Sequence, residues 1–305
     1  VLTVTVPDED LLDRLSGLAD RVELVRWDLR DALDAELAAR VSMVVIGHYW
    51  TTPDRYTRLR DLPNLRYVQL PSAGFEHALP HVPAGVTVCN GRGVHSAGTA
   101  ELAVGLVLAA QRGLVDAARA MTEGRWANPE LPSLADRRVL LVGAGSVAEA
   151  VAARLAPFEV QLTQVARTAR GSVRSVADLD VLLPQADVVV LTVPLDRTTY
   201  HLLDARRLAL LPDGALVVNV ARGKVLDTQA LLAELSAGRL RAALDVTDPE
   251  PLPSDHPLWH APNLLITAHQ GGNSDATYPR VAALVARQLE NLLAGREPEN
   301  VVART

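Results

Sequence analysis

Three residues in the C-terminal half have the types and places needed to hold an anion and move a proton. Arg222 follows the run Leu216-Val217-Val218-Asn219-Val220-Ala221. Glu250 follows Leu244-Asp245-Val246-Thr247-Asp248-Pro249, and His269 follows Leu264-Leu265-Ile266-Thr267-Ala268. Each run starts as a strand, and open α/β sheets bind ligands beyond the carboxyl ends of their strands. A cation there holds a carboxylate and polarises the carbonyl beside it. An imidazole donates a proton to the carbonyl oxygen as hydride arrives at carbon. A carboxylate orients the imidazole and favours its protonated form, and each pKa unit of that bias is about 1.36 kcal/mol.

A glycine turn forms the second constellation. The apolar strand Val139–Val142 runs into Gly143-Ala144-Gly145-Ser146-Val147-Ala148 and then into a helical pattern. In Gly-x-Gly-x-x-Ala the first glycine allows the tight turn and the second lets the backbone approach a pyrophosphate. The small third residue lets helix and strand pack closely. The helix start then offers free N–H groups and a positive dipole end to the phosphates. A carrier of NAD would end the next strand with an acid about 20 residues on. This chain reads Val165-Ala166-Arg167-Thr168-Ala169-Arg170 there, with no acid. An acid would repel the 2′-phosphate of NADP by roughly 4 kcal/mol at 4 Å and an effective dielectric of 20. Arg167 offers that phosphate a fork and Thr168 a hydroxyl, with Arg170 near by. NADPH is therefore the preferred cofactor expected, with NAD still possible. The bland alternative makes Arg167 a solvated loop residue.

The elements around these sites alternate. Strands are expected at 1–6, 22–25, 43–46, 66–70 and 86–89, with helices near 9–18 and 31–39. A second series of strands falls at 139–142, 160–165, 187–193, 215–220, 240–245 and 264–267. Such alternation indicates βαβ units and a parallel sheet in each half. Asp227 reads as the N-cap of a helix over 228–237, with Gly238 as its stop. The last helix runs from about Tyr278 to Leu293. The stretch from Gly98 to Gly113 gives one helix that is apolar on nearly every face after Glu101, so it must be buried in the core or at a subunit interface. With one glycine fingerprint, one half binds the cofactor and the other holds the substrate, the two meeting at a cleft.

The chain has 305 residues, of which 49% are hydrophobic and 22% charged, enough for two ordinary globular domains. A net charge of -6 without a basic block argues against a nucleic-acid surface or an anionic membrane surface. The single cysteine, Cys89, lies in an apolar run and reads as a buried thiol. No leader-like start and no apolar run long enough to span a bilayer is evident, so a cytoplasmic protein is expected.

The ordered motifs resemble the D-isomer-specific 2-hydroxyacid dehydrogenase family. They are Gly-x-Gly-x-x-Ala, Thr192-Val193-Pro194-Leu195 with Thr198, Val220-Ala221-Arg222-Gly223, Asp245-Val246 with Pro249-Glu250-Pro251-Leu252, and His269 with Gly271-Gly272. Upstream, Ser72-Ala73-Gly74 and Asn90-Gly91-Arg92-Gly93-Val94-His95 with Ala100-Glu101 extend the match. The resemblance implies a catalytic Arg222, His269 as acid/base and Glu250 as its partner. It implies that the backbone amides of Ala73 and Gly74 help bind the substrate carboxylate and that Asp245 lies near the nicotinamide carboxamide. The candidate cofactor-binding residues are then Gly143, Gly145, Ser146, Val147, Arg167, Thr168, Val193, Pro194, Thr198, Val220, Ala221, Asp245 and Gly271.

The fold implied is α/β. A Rossmann-type doubly wound parallel sheet, residues 96–275, is inserted into a smaller flavodoxin-like substrate domain made of 1–95 and 276–305. A homodimer is implied, with the helix 99–112 suited to its interface. Ala268 replaces a frequent proline, and Gln270 replaces a small apolar residue.

Arg222 or His269 alone would read as a surface or structural residue, and Glu250 as a solvated carboxylate. Their places after strands and their order assign them function. The remaining histidines lack metal spacing, so no metal is expected. Tyr49 and Trp50, after the strand at 43–46, are candidates for substrate contact. The alternative is a loop packed under its own aromatics.

The activity expected is reduction of a small 2-ketoacid, with glyoxylate or hydroxypyruvate first. A D-3-phosphoglycerate dehydrogenase is a rival, weakened by the chain ending soon after its last helix. A formate or phosphite dehydrogenase is another, and the glutamine of the formate branch at the place of Glu250 argues against it. A nucleotide-sensing corepressor or binding protein on the same fold is the rival from another class.

Overall fold

The computed structural model describes residues 2–47 and 52–305. The chain divides into two compact units, Val1–His95 with Asp275–Thr305, and Ser96–Ser274. The first unit begins with β1 (Leu2–Val6), α1 (Glu9–Arg14), β2 (Val22–Arg26), α2 (Ala35–Arg40), β3 (Val41–Val45), α3 (Pro53–Tyr56), β4 (Tyr67–Gln69) and β5 (Thr87–Cys89). The second unit opens with α4 (Ser96–Gln111), α5 (Leu114–Thr122), β6 (Arg138–Val142), α6 (Ser146–Leu155), β7 (Gln161–Ala166) and β8 (Arg174–Ser175). It continues through α7 (Leu179–Leu182), β9 (Val188–Leu191), α8 (Ala205–Leu208), β10 (Leu216–Asn219), α9 (Thr228–Ser236), β11 (Arg241–Leu244) and β12 (Leu264–Ile266). The chain then returns to the first unit with α10 (Thr277–Leu293) and β13 (Val301–Arg304).

The second unit holds a seven-stranded sheet in the order β12-β11-β10-β9-β6-β7-β8. All its pairs are parallel. This is the Rossmann-type sheet. The strand order reverses between β6 and β9, and a ligand crevice forms at such a switch point. Both faces of the central strands β6, β9, β10 and β11 are buried, which explains why these four read as apolar runs. Leu140, Val142, Val189, Leu191, Val217, Ala242 and Leu244 face one core. Their neighbours Val139, Leu141, Val188, Val190, Leu216, Val218 and Ala243 face the other. In that second core α6 sets Ala148, Val151 and Leu155 beside Ala100, Ala103 and Val107 of α4. The small side chain of Ala148 is fully buried there. The apolar face of α4 is thus used inside its own unit, where only Glu101 and Gly105 of this helix are exposed.

The first unit holds a six-stranded sheet in the order β13-β5-β4-β3-β1-β2. Strands β1 to β5 are parallel in the flavodoxin-like order. β13 joins β5 antiparallel, so this sheet is mixed and not purely parallel as expected. The short β13 gives little periodicity of its own and is fixed by a partner far away along the chain. α10 packs Val281, Leu284, Val285 and Leu289 into a core with Val4, Val6 and Leu11.

Some boundaries move for local reasons. The helix expected at 31–39 starts at Ala35, because the Asp34 side chain accepts from Leu37 N–H at 2.9 Å and fixes the start there. α1 stops at Arg14 and gives way to a 3₁₀ turn at Ser16–Leu18. α5 follows Gly113, whose φ of 58° lets the chain bend and resume a helix. Among the described residues no single helix is long and apolar enough to cross a membrane.

Asp227 caps α9 by accepting from Ala230 N–H at 3.0 Å, and Gly238 with φ 70° closes that segment. Asp227→Ala should therefore cost about 1 kcal/mol. Urea unfolding checks this as a lowered midpoint with unchanged slope, and an unchanged midpoint would contradict the cap.

Candidate active site

The glycine turn leaves β6 at the switch point. Gly143 has φ 135°, and a Cβ there would lie 2.3 Å from Thr192 Oγ1. That hydroxyl donates to Val142 O at 3.0 Å and cannot retreat without losing the bond. Only glycine satisfies both conditions. Gln164 Nε2 holds the Gly143 carbonyl at 2.9 Å. Gly145 heads α6 in extended conformation with no side-chain cap. The first amides of α6 are therefore left for an anion. The Ser146 hydroxyl bonds Ser96 Oγ at 2.9 Å, so Ser146 is engaged with the start of α4. Gly143, the exposed Gly145 and the uncapped helix start fit a pyrophosphate.

At the end of β7, Arg167 is exposed and forms an ion pair with Asp196. Asp196 comes from the loop after β9 and gives no signal of its own in the sequence. Its Oδ1 accepts from Thr198 N–H at 2.7 Å and from Thr198 Oγ1 at 2.6 Å. These bonds, and then the charge of Arg167, hold its carboxyl down to about 2. Thr198, expected beside the cofactor, thus directs its hydroxyl to Asp196. Arg170 Nη2 donates to Ala144 O at 2.8 Å, which ties it to the glycine turn. Thr168 is exposed. Exposed pairs such as Arg167–Asp196 are worth about 0–1 kcal/mol, so Asp196 is a weak competitor for that guanidinium.

Arg222 is set by a buried polar residue. Asn219, fully buried at the end of β10, donates to Arg222 O at 3.0 Å and accepts from Ala221 N–H at 3.0 Å. The apolar side chains of Val220 and Ala221 are buried around this turn. The half-buried Arg222 guanidinium donates to Ala221 O at 2.7 Å. Gly223 then lies against the loop after β11. A Cβ on it would be 1.8 Å from Thr247 O and 2.8 Å from Asp248 N. The turn carrying Arg222 and the loop carrying Glu250 are therefore in backbone contact. Thr228 Oγ1 adds a bond to Asp248 O at 3.0 Å.

The loop after β12 is clamped by Asp245, which is 3% exposed. Its Oδ1 accepts from Thr267 Oγ1 at 2.6 Å and from Gln270 N–H at 2.7 Å. Its Oδ2 accepts from Gly271 N–H at 2.9 Å, and its carbonyl accepts from His269 N–H at 2.8 Å. Gly271 lets this amide come close, since a Cβ would lie 3.0 Å from Asp245 Oδ2 and 3.2 Å from Thr99 Oγ1. His269 takes φ 51°, the left-handed region. That conformation costs of order 1–3 kcal/mol. Hydrogen bonds to a charged group contribute about 1.5–3 kcal/mol each, so three of them outweigh the strain. The kink presents the His269 side chain, whose Nδ1 meets Glu250 Oε1. Both are 39% exposed, so this pair contributes orientation more than stability. The Gln270 side chain is exposed while its amide serves the clamp.

In the first unit, Ala73 and Gly74 follow β4. Asn90 Nδ2 donates to Ala73 O at 2.6 Å and Ser72 Oγ to Gly74 O at 2.8 Å. A Cβ at Gly91 would lie 2.1 Å from Pro71 O, so the end of β5 packs on this turn. Neither the Ala73 nor the Gly74 amide donates a hydrogen bond among the described residues. Tyr49 and Trp50 lie outside the described residues.

Residues 104–271 match the model of the D-isomer specific 2-hydroxyacid dehydrogenase, NAD binding domain. The chain is 36% identical over 255 residues to a glyoxylate reductase of Thermofilum pendens, covering 79% of this chain and 75% of that protein. A D-isomer specific 2-hydroxyacid dehydrogenase family protein from Aeromonas salmonicida superposes with a TM-score of 0.86 at 26% identity, over 100% of this chain and 99% of that one. The NADPH-dependent glyoxylate/hydroxypyruvate reductase of Sinorhizobium meliloti, solved with NADP and malonate, gives 0.78 at 27% identity, over 100% and 97%. The fold and site thus define an NAD(P)-binding oxidoreductase. The chain belongs to the D-isomer specific 2-hydroxyacid dehydrogenase family.

Gly223→Ala tests the contact between the two loops. Forcing a methyl group into backbone costs about 1–3 kcal/mol or displaces the loops. Lower thermal stability and a reduced kcat for 2-ketoacid reduction are expected, and wild-type values of both would contradict the contact.

Proposed function

We propose that this enzyme reduces small 2-ketoacids with NADPH, glyoxylate or hydroxypyruvate first. The observation that carries the reading is the His269–Glu250 pair at the carboxyl end of the sheet that also ends in Arg222 and the glycine turn. Arg222 binds the substrate carboxylate and polarises the keto group. Because Glu250 engages Nδ1 of His269, Nε2 is the nitrogen left to protonate the substrate oxygen. Glu250 keeps the ring in that orientation. When bound in the cradle of Gly143, Gly145, Ser146 and Val147, the reduced nicotinamide supplies the hydride. Val193, Pro194, Val220, Ala221 and Gly271, which follow β9, β10 and β12, would line its place. In its own unit, the turn at Ala73 and Gly74 offers open amides to a carboxylate. The Sinorhizobium relative, named for glyoxylate and hydroxypyruvate, supports this substrate class.

NADP preference rests on Ala166, which brings no acid to the end of β7, on the exposed Arg167 next to it, and on Arg170, which bonds the glycine turn. A homodimer is proposed through the apolar residues exposed after α4. Met121 is 74% exposed and Trp126 96%. Since α4 itself packs into its own core, the adjoining segment supplies the apolar contact.

Assays of a 2-ketoacid panel with both cofactors test this function. A higher kcat/KM with NADPH than NADH on glyoxylate or hydroxypyruvate is expected. Ala166→Asp combined with Arg167→Ala should swing the preference toward NADH. Faster turnover with NADH by the wild-type enzyme would sink the cofactor reading. NADPH binding without turnover of any 2-ketoacid would favour a nucleotide-sensing protein instead.

A further inference from the structure

Arg167 and Asp196 come from the two strands that flank the glycine turn. In the seven-stranded sheet β6 lies between β9 and β7. Arg167 follows β7, and Asp196 lies in the loop after β9. Their ion pair therefore bridges the two neighbours of β6 at its carboxyl end, where the glycine turn leaves. On the reading of Arg167 as the partner of a 2′-phosphate, we propose that Asp196 is a specificity-determining residue for the cofactor. Its carboxylate competes with the 2′-phosphate for Arg167, holds the NADP preference down and leaves NAD usable.

The carboxylate is fixed before any ligand arrives. Oδ1 accepts from Thr198 N–H at 2.7 Å, from Thr198 Oγ1 at 2.6 Å and from Thr199 N–H at 3.2 Å. Asp196 N–H donates to Thr199 Oγ1 at 2.8 Å, and that hydroxyl donates to Pro194 O at 2.7 Å. Thr199 is itself buried. Oδ2 is left over, and it meets Nη2 of Arg167. Exposed ion pairs gain little, in part because two long side chains must be ordered to form them. In this pair the acid is short and already ordered, which sets it at the upper end of that small range. The bonds from Thr198, and then the charge of Arg167, hold the carboxyl down to about 2, so it is charged at neutral pH.

A 2′-phosphate seeks the same guanidinium fork. It must break the pair or share Arg167 with a fixed like charge. A 2′-hydroxyl is neutral and meets neither cost, so Asp196 discriminates between the two cofactors. It brings to this edge the negative charge that Ala166 does not bring to the end of β7, and brings it from the other side of the glycine turn.

The probes are 2′,5′-ADP and 5′-ADP, titrated by calorimetry into the full chain. The ratio of their affinities isolates the 2′-phosphate. Asp196→Asn keeps an oxygen for the Thr198 and Thr199 amides and sets an amide N–H where Oδ2 met Arg167. The ratio should rise by about fivefold, or roughly 1 kcal/mol, in favour of 2′,5′-ADP. Asp196→Ser, whose hydroxyl can hold the same turn, should shift the ratio the same way. Arg167→Ala should lower the ratio, and adding Asp196→Asn to it should then gain less than about twofold. An unchanged ratio in both Asp196 variants would overturn the proposal, while a ratio lowered by Arg167→Ala would leave the NADP reading standing. A ratio indifferent to Arg167→Ala would overturn that reading and the proposal with it. The same gain from Asp196→Asn without Arg167 would overturn the competition.

Discussion

The carboxylate of Asp245 fixes the geometry on which the rest of the site depends. It is buried at the end of β11 and accepts hydrogen bonds from three groups of the loop after β12. A buried charge without such partners would cost several kcal/mol. With them, it holds His269 in a left-handed conformation that a histidine would not otherwise keep. The adjacent strand contributes through Gly223, which has no side chain and so lets the Arg222 turn rest on the backbone of Thr247 and Asp248. The three strand ends that carry Arg222, Glu250 and His269 are therefore joined to one another.

Much of this was legible in the sequence, for a physical reason in each case. The strand at Val139–Val142 and its glycine turn are local, since the turn, the helix start and the close packing all lie within one short segment. The central strands of the seven-stranded sheet are covered on both faces, so they show as continuous apolar runs. Asp227 and Gly238 mark a helix from both ends through bonds that span only a few residues.

What the sequence hid was contact across the chain. β13 acquires its role only by pairing with β5. Asp196 looks like an ordinary loop acid until the fold sets it against Arg167. The clamp by Asp245 joins residues more than 20 positions apart. Family resemblance pointed to Asp245 for its nearness to the nicotinamide, while its oxygens in the structure are taken by the histidine loop. A polar residue in an apolar strand was the available signal for Asn219, whose amide bonds are needed to shape the Arg222 turn.

On the proposed function, Asp245 is the residue that places His269 for proton transfer. The most direct measurement is kcat for 2-ketoacid reduction by Asp245→Asn, with the NAD(P)H dissociation constant measured on the same protein. The substitution sets an amide N–H against a backbone N–H of the loop while keeping size and shape. A misplacement of about 1 Å costs on the order of 10²-fold in rate. A loss of that order, approaching that of His269→Ala, with cofactor affinity retained, is expected. Wild-type kcat in Asp245→Asn would contradict it.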